Sequence, residues 1–465
     1  MLTFQDFEAA TDKADFILRA INEHEGSADV KLAKEADEYD RQKNITIMNY
    51  LKVIYSMMGD PVVDFTASNA KITSNFFHRM NTQRNTYLLG NGVTFQKEGT
   101  KEKLGKNFDD VIFDITYNAL IHKVCYGFWN YDRLHMFKFT EFKPLLDEET
   151  SALRAGIRYW KLDADKPTYV VLYEEDGFTK YRISTKEDQR EQLDEIQPKK
   201  SYVQQVRYTE ADGESVVGEY NYTALPIIPL WGNKRHQSTL VGTREAIDSY
   251  DLVRSGFCND LNDIAQVYWL IENAAGMDDS DMARFRDRLK MQHIAAVDVN
   301  DASKVTPYAQ EIPYQARKTF LDDLKAQIYE DFGALDVHQV QAGSTNDHLE
   351  AAYQPLDEEA DDLEYEVSQF IDQLLTLIGI DDKPTYKRNK ISNQTEQTNM
   401  VLSASEYLDD ETILNKLPFI TVDEIKDILN RKQLEQEQRL TVERYEEGGE
   451  EDENPPEEEP EDENT

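Results

Sequence analysis

The sequence lacks any uncharged apolar run approaching the roughly 18 residues of a membrane-spanning helix, so no span is expected. Its start, Met1-Leu-Thr-Phe-Gln-Asp-Phe-Glu8, has no basic stretch followed by an apolar one, and no secretory signal is expected there. Cysteine is scarce. Cys125 and Cys258 both stand in apolar surroundings, which excludes a disulfide framework and suits a reducing compartment. There is no GxxxxGKS/T phosphate loop and no GxGxxG, so ATP hydrolysis by a standard P-loop is excluded. HExxH and CxxC are missing too, which removes the common zinc motifs, and no cofactor is expected.

Basic residues are also in short supply. Lys and Arg total 51 against 90 Asp and Glu, a formal net charge of −39. Residues 441–465 hold thirteen acids and Arg444, a net of −12, which leaves −27 on the other 440 residues. Such a body argues against general phosphate-backbone binding, which needs a Lys/Arg footprint. It allows a protein that handles DNA without gripping it, and it is equally read as an aid to solubility.

What is present is helix, then strand, then long helix. Residues 4–44 read as charged and helical. Residues 70–89 read as a helix carrying Ile72, Phe76, Met80 and Tyr87 on one side, with Ser68 or Asn69 to cap it and Gly90 to end it. Residues 107–125 read as another. From 126 to about 232 the pattern turns to strands: 126–131, 134–139, 158–162, 169–174, 178–184, 202–209 and 215–222, with turn signals at Asp176-Gly177 and Asp212-Gly213.

Between 247 and 271 apolar residues fall at Ile247, Tyr250, Val253, Phe257, Leu261, Ile264, Tyr268 and Ile271. This seam has a period near 3.5 and predicts a helix of roughly 36 Å. A second helix over 314–332 carries Phe320, Leu324, Ile328 and Phe332. A third carries Leu356, Ala360, Leu363, Val367, Phe370, Leu374 and Leu377, with no Gly or Pro inside that stretch. Residues 276–313 read as a compact insert with a helix near 279–291 and strands near 293–299 and 303–309. Residues 333–355, with Gly333 and Gly343, read as an exposed loop. Residues 391–438 read as a small helical module. Beyond Arg444 the chain cannot bury enough apolar surface to offset ordering entropy, and disorder is expected.

No catalytic constellation emerges. His338 and His348 share the 333–355 loop with Asp336 and Asp347 and read as solvated loop residues. Asp361, Asp362, Glu364 and Glu366 point mostly away from the Leu363/Val367/Phe370 seam and read as a solvated face rather than metal ligands. Cys125 and Cys258 read as structural thiols. The four tryptophans, Trp129, Trp160, Trp231 and Trp269, read as core or subunit-contact residues. The residues alone describe a large non-enzymatic assembly subunit with long packed helices. A metal-dependent nuclease using the acidic helix 356–366 stands as the enzymatic alternative, and a non-viral oligomeric scaffold as the structural one.

Four segments in order resemble the SPP1-type family of phage portal proteins. They are Ala36-Asp-Glu-Tyr-Asp-Arg-Gln-Lys-Asn-Ile-Thr-Ile47, Ala67-Ser-Asn-Ala-Lys-Ile-Thr-Ser-Asn-Phe-Phe77 continuing to Tyr87-Leu-Leu-Gly90 and Val93-Thr-Phe95, Leu225-Pro-Ile-Ile-Pro-Leu-Trp-Gly-Asn233 followed by Ala246-Ile-Asp-Ser-Tyr250 and Ser255, and Leu408-Asp-Asp-Glu-Thr-Ile-Leu-Asn-Lys-Leu-Pro-Phe419. The family usually shows a paired aromatic in the first segment, where this chain has only Tyr39.

The resemblance implies an α+β portal-type fold with long stem helices, an antiparallel-β-containing wing, a small α/β clip and a helical C-terminal crown. It assigns 1–240 and 351–390 to the wing, 241–273 and 314–332 to the stem helices, 274–313 to the clip, 333–350 to a tunnel loop, 391–440 to the crown and 441–465 to an acidic tail. It implies a ring, a dodecamer in the virion, that passes double-stranded DNA at one capsid vertex. The expected partners are the terminase large subunit, head-completion or adaptor proteins, the major capsid protein and scaffold, with no membrane and assembly in the host cytoplasm. The DNA-facing residues would be His338, Gln339, Gln341, Ser344, Thr345, Asn346 and His348. Arg284, Arg286, Arg288, Lys290, Asp298 and Asn300 would dock partners at the clip. Ile247, Val253, Phe257, Leu261, Ile264, Tyr268, Phe320, Leu324 and Ile328 would pack the stem.

Overall fold

Helices begin where the sequence supplies caps. Thr3 and Asp6 form a reciprocal capping box on α1 (Phe4–Ala9). Asp12 accepts the Ala14 and Asp15 amides at the head of α2 (Lys13–Gly26), and Ser27 accepts that of Val30 in α3 (Ala28–Asp40). The structure, a computed structural model, describes residues 2–264 except 56–57, 65–66, 186–190 and 210–212. It further describes 268–271, 280, 305–308, 313–336, 346–390 and scattered positions among 398–434.

After α3 come the short α4 (Ile45–Met48) and a hairpin of β1 (Val53–Tyr55) and β2 (Pro61–Val63). Then follow α5 (Phe76–Leu89), β3 (Val93–Phe95), α6 (Thr100–Lys103) and α7 (Phe108–His122). The strand region holds β4 (Val124–Asn130), β5 (Arg133–Lys138), β6 (Phe142–Leu146), β7 (Leu153–Lys161), β8 (Thr168–Glu174), β9 (Gly177–Thr185), β10 (Glu191–Lys200), β11 (Val203–Thr209), β12 (Gly213–Tyr220) and β13 (Ile227–Trp231). The last described elements are α8 (Arg244–Ile264), β14 (Tyr268–Ile271), β15 (Val305–Tyr308), α9 (Tyr314–Asp331), α10 (Asn346–Ile378) and β16 (Pro384–Tyr386).

The fold is mixed helix and sheet. Strands β6 to β10 form an antiparallel meander in sequence order, and β13-β4-β5 form a second antiparallel sheet. Helices α1 and α2 bury Phe7, Phe16, Ile17 and Ile21 against Leu145, Ile157, Val170 and Leu172 of the meander. A second core sets Ile112, Ile115 and Leu120 of α7 against Trp129, Leu230 and the Leu363, Val367, Phe370 and Leu374 seam of α10. A third gathers Tyr39, Phe76, Phe77, Met80, Ile247 and Ile328 from α3, α5, α8 and α9, with Phe332 just after α9. The chain divides into two compact units, Met1–Leu335 with Pro355–Asn389, and Asp336–Gln354 with Lys390–Thr465.

Several expectations need correction. Helix α5 starts at Phe76 rather than at 70, so Ser68 and Asn69 cap nothing. The amides of Ala70, Ile72 and Ser74 are taken by side chains of α8, an every-second-residue spacing that a helix would not give. Helix α7 stops at His122 because Lys123 adopts φ +81°, and Val124 and Cys125 enter β4 instead. Strand β10 reads EQLDEIQPKK and gave no alternation to detect. It is the meander's edge, where charges and Pro198 are tolerated and Leu193 is its one buried residue. The turn between β8 and β9 is Glu175-Asp176, closed by the Glu174–Gly177 pair. Asp212 of the other turn signal lies outside the described residues, as do the expected insert helix 279–291 apart from one residue, the strand near 293–299 and the tail 441–465. The expected module 391–438 is described only at scattered positions.

Candidate functional site

Helix α8 turns a polar stripe inward. Ile247, Asp251, Ser255 and Asn259 recur every four residues and all are buried. Asp251 Oδ1 accepts the Ser74 amide at 2.9 Å, Ser255 Oγ the Ile72 amide at 2.9 Å, and Asn259 Oδ1 the Ala70 amide at 2.6 Å. The side-chain amide of Asn44 donates to the second Asp251 oxygen and to the Ser74 carbonyl. Burial raises the Asp251 carboxyl above its ordinary range against the pull of Asn44 and Ser74. The stripe therefore binds a non-helical backbone segment, at every second residue, to one helix.

The same helix holds the tyrosine-bearing segment. The buried Tyr39 hydroxyl donates to Asp248 Oδ1 at 2.5 Å, and Thr46 Oγ1 donates to Asp248 Oδ2 at 2.6 Å. Arg244 pairs with Glu35 at 2.7 Å. Burial, then the Asp248 bond, pushes the Tyr39 phenol up to about 12. Tyr87, of the Tyr-Leu-Leu-Gly segment, donates to Asp357 at 2.6 Å. Trp231 of the third segment stacks on His236 with ring centroids 3.9 Å apart. Three of the four resemblance segments thus do structural work at or near α8. The fourth, 408–419, is described only in part.

Ile247 and Tyr250 of the apolar seam join the third core, and from Val253 onward the seam lies on a different face of α8 from the buried stripe. Val253 and Phe257 are half-buried, and Phe257 packs its ring 5.7 Å from that of Tyr314 on α9. Arg317 of α9 pairs with Asp260 at 2.5 Å. Leu261 is 52% exposed and Phe320 on α9 is 49% exposed, whereas Leu324 and Ile328 are buried. Ile264 ends the helix. Tyr268 is no part of it: Tyr268-Trp-Leu-Ile271 is a strand paired antiparallel with Val305–Tyr308. Four consecutive apolar residues suit a strand as well as a helix, and the seam's period runs into them by coincidence.

The expected loop is shorter than its reading. Helix α10 begins at Asn346 and runs through Pro355, so Asn346 and His348 are helical. Leu349 and Tyr353 are buried and extend the seam upstream of the proline. His338, Gln339, Gln341, Ser344 and Thr345 lie outside the described residues, and so do Arg284, Arg286, Arg288, Lys290, Asp298 and Asn300.

The acidic face of α10 is less solvated than expected. Arg388 reaches Asp357 at 2.7 Å, Glu364 at 3.0 Å and Asp361 as well. Burial pulls the Arg388 guanidinium down, but these bonds carry it above its ordinary value. Asp362 pairs with Lys234 at 3.3 Å. Among the described residues no group of three His, Cys, Asp or Glu side chains is placed to hold a metal ion. Cys125 is buried with its thiol on the Phe137 carbonyl at 3.4 Å, and burial pushes that thiol far up.

One feature had no sequence signal. A cavity of about 730 Å³ opens beside α2 and β13, walled by Tyr126, Phe139, Leu146, Leu153 and Trp231. His24 lines it, takes a 2.9 Å bond to the Tyr159 hydroxyl on Nδ1, and has no partner on the buried Nε2. Its lining comes from six separate stretches of chain, which no local pattern could join.

These features define an α+β fold organised around long packed helices. The chain matches the family described as phage portal protein, SPP1 Gp6-like, over residues 30–438, and it belongs to that family. It is 29% identical over 216 residues to the portal protein of Clostridium phage phiCD119, covering 44% of this chain and 48% of that relative. It is 22% identical over 421 residues to the portal protein of Bacillus phage SPP1, covering 79% and 77%. The first alignment therefore spans about half of its relative. No described helix is long and apolar enough to cross a membrane.

Proposed function

We propose that this chain is one subunit of a closed ring, a dodecamer in the virion, forming the portal through which DNA enters and leaves the capsid. The observation that carries the reading is the family match over 30–438. The half-exposed apolar seam of Leu261 and Phe320 supports it, because one chain leaves that surface uncovered. The portal performs no covalent chemistry; the terminase large subunit drives packaging. The clip at 274–313, with Arg284, Arg286, Arg288 and Lys290, docks terminase and then the head-completion proteins. The major capsid protein and scaffold are further partners, and the particle assembles in the host cytoplasm. The segment between α9 and α10 faces DNA, and its nearly uncharged polar residues touch phosphates without holding them.

Native mass spectrometry of the purified chain should give a closed ring. Leu261→Glu combined with Phe320→Glu should abolish it. Both positions are half exposed, so the melting of the isolated chain should stay within about 0.5 kcal/mol. A wild-type chain that stays monomeric while folded, or rings that survive both charges, would overturn the reading.

A further inference from the structure

The cavity beside α2 and β13 has the size of a small-molecule site. Its volume is about 730 Å³, within the roughly 300–1,000 Å³ that such sites span. Tyr126, Phe139, Leu146, Leu153 and Trp231 make its walls mainly apolar. Water against such walls finds few polar partners, and an apolar body that displaces it gains affinity.

The charged groups of the lining cancel one another. Lys143 pairs with Glu23 at 3.2 Å, and Lys123 pairs with Asp29. The two lining histidines are neutral near pH 7. Burial, then Lys143, lowers the His24 imidazole to about 4, and burial, then Lys123, lowers that of His236. An ionised molecule entering here would lose hydration and find each lining charge already paired.

His24 supplies a polar group with no partner. It is 5% exposed. Its Nδ1 is taken by the Tyr159 hydroxyl at 2.9 Å, which stands in the core beneath α1 and α2. The buried Nε2 bonds to nothing. That nitrogen donates or accepts according to whether Tyr159 donates or accepts at Nδ1. A hydroxyl group meets both cases, whereas a carbonyl or an ether meets only one.

We propose that this cavity is a binding site for a small uncharged molecule with an apolar body and one hydroxyl, the hydroxyl bonding to His24 Nε2. The site is independent of ring closure and of DNA passage, since all its residues lie in the first unit of one chain.

The test titrates the purified full chain with four probes of one shape: 4-phenylphenol, biphenyl, biphenyl-4-carboxylate and 4-phenylbenzylamine. Calorimetry and melting temperature are read. The phenol should bind and raise the melting temperature. Biphenyl should bind about fivefold more weakly, the size of one neutral hydrogen bond. The carboxylate and the amine should each bind at least about tenfold more weakly than the phenol. His24→Phe keeps an aromatic ring and removes the nitrogen. It should bring the phenol down to the affinity of biphenyl and leave biphenyl unchanged, a split that a merely structural role would not give. Leu153 and Leu146 are half-buried, so Leu153→Trp should fill the cavity and abolish binding of all four. If that variant does not fold, Leu146→Trp decides in its place.

No binding by any probe overturns the proposal, and a neighbouring subunit seated in the cavity would give that result. A charged probe that matches the phenol overturns it, as does a phenol no tighter than biphenyl. Undiminished binding in the folded Trp variant shows that the probes sit elsewhere, and is equally fatal.

Discussion

The Ser74 amide donates to Asp251 Oδ1 at 2.9 Å, across 177 positions of sequence. Through this contact a polar residue inside a long helix keeps an upstream segment from becoming helix.

Asp251→Leu should therefore destabilise the protein. It leaves the buried Ser74 amide without its acceptor and takes one acceptor from Asn44, at about 1–3 kcal/mol for each orphaned donor. Asp251→Asn keeps one accepting oxygen and should lose less. Thermal melting of the two variants checks the order. Equal and negligible shifts would remove the stripe's structural role.

His24 gives a pH dependence of definite sign. Burial, then the charge of Lys143, lowers its imidazole from the ordinary 6.5 to about 4. A folded-state value below the unfolded one favours the neutral ring. Its stabilisation is complete above pH 6.5 and is lost as pH falls toward 4. The whole loss is on the order of 3 kcal/mol. His24→Gln should flatten stability across that window relative to the parent protein, as read by denaturant titration at a series of pH values. Parallel curves for the two proteins would contradict it.

Gly127 lies in β4 directly over Phe370 of α10. A Cβ there would overlap Phe370 Cζ and stand 2.8 Å from Cε2 and 3.1 Å from Leu134 Cδ1. Gly127→Ala should cost about 1–3 kcal/mol through overpacking. Phe370→Leu opens room at the same place, so the double variant should be more stable than the two losses added together. Strict additivity in melting would show that the two sites do not share the contact.

The sequence by itself determined the α+β class, the strand region from 126 onward, the helix read over 314–332, the downstream part of α10 read over 356–377, and the family. Each is written in a local period or in a short ordered segment, and neither needs a partner to be read. Tertiary structure decided which face of α8 turns inward. The period of Val253, Phe257 and Leu261 marks an apolar seam, yet the buried stripe is Asp251, Ser255 and Asn259. Their acceptors are matched to amides 177–189 residues upstream, a pairing that no window along the chain contains. The same acceptors decided that residues 70–74 stay out of a helix despite a helical pattern. Pairing with Val305–Tyr308 decided that Tyr268–Ile271 is strand. Backbone amides must be satisfied when buried, and a local pattern cannot say which distant acceptor will do it.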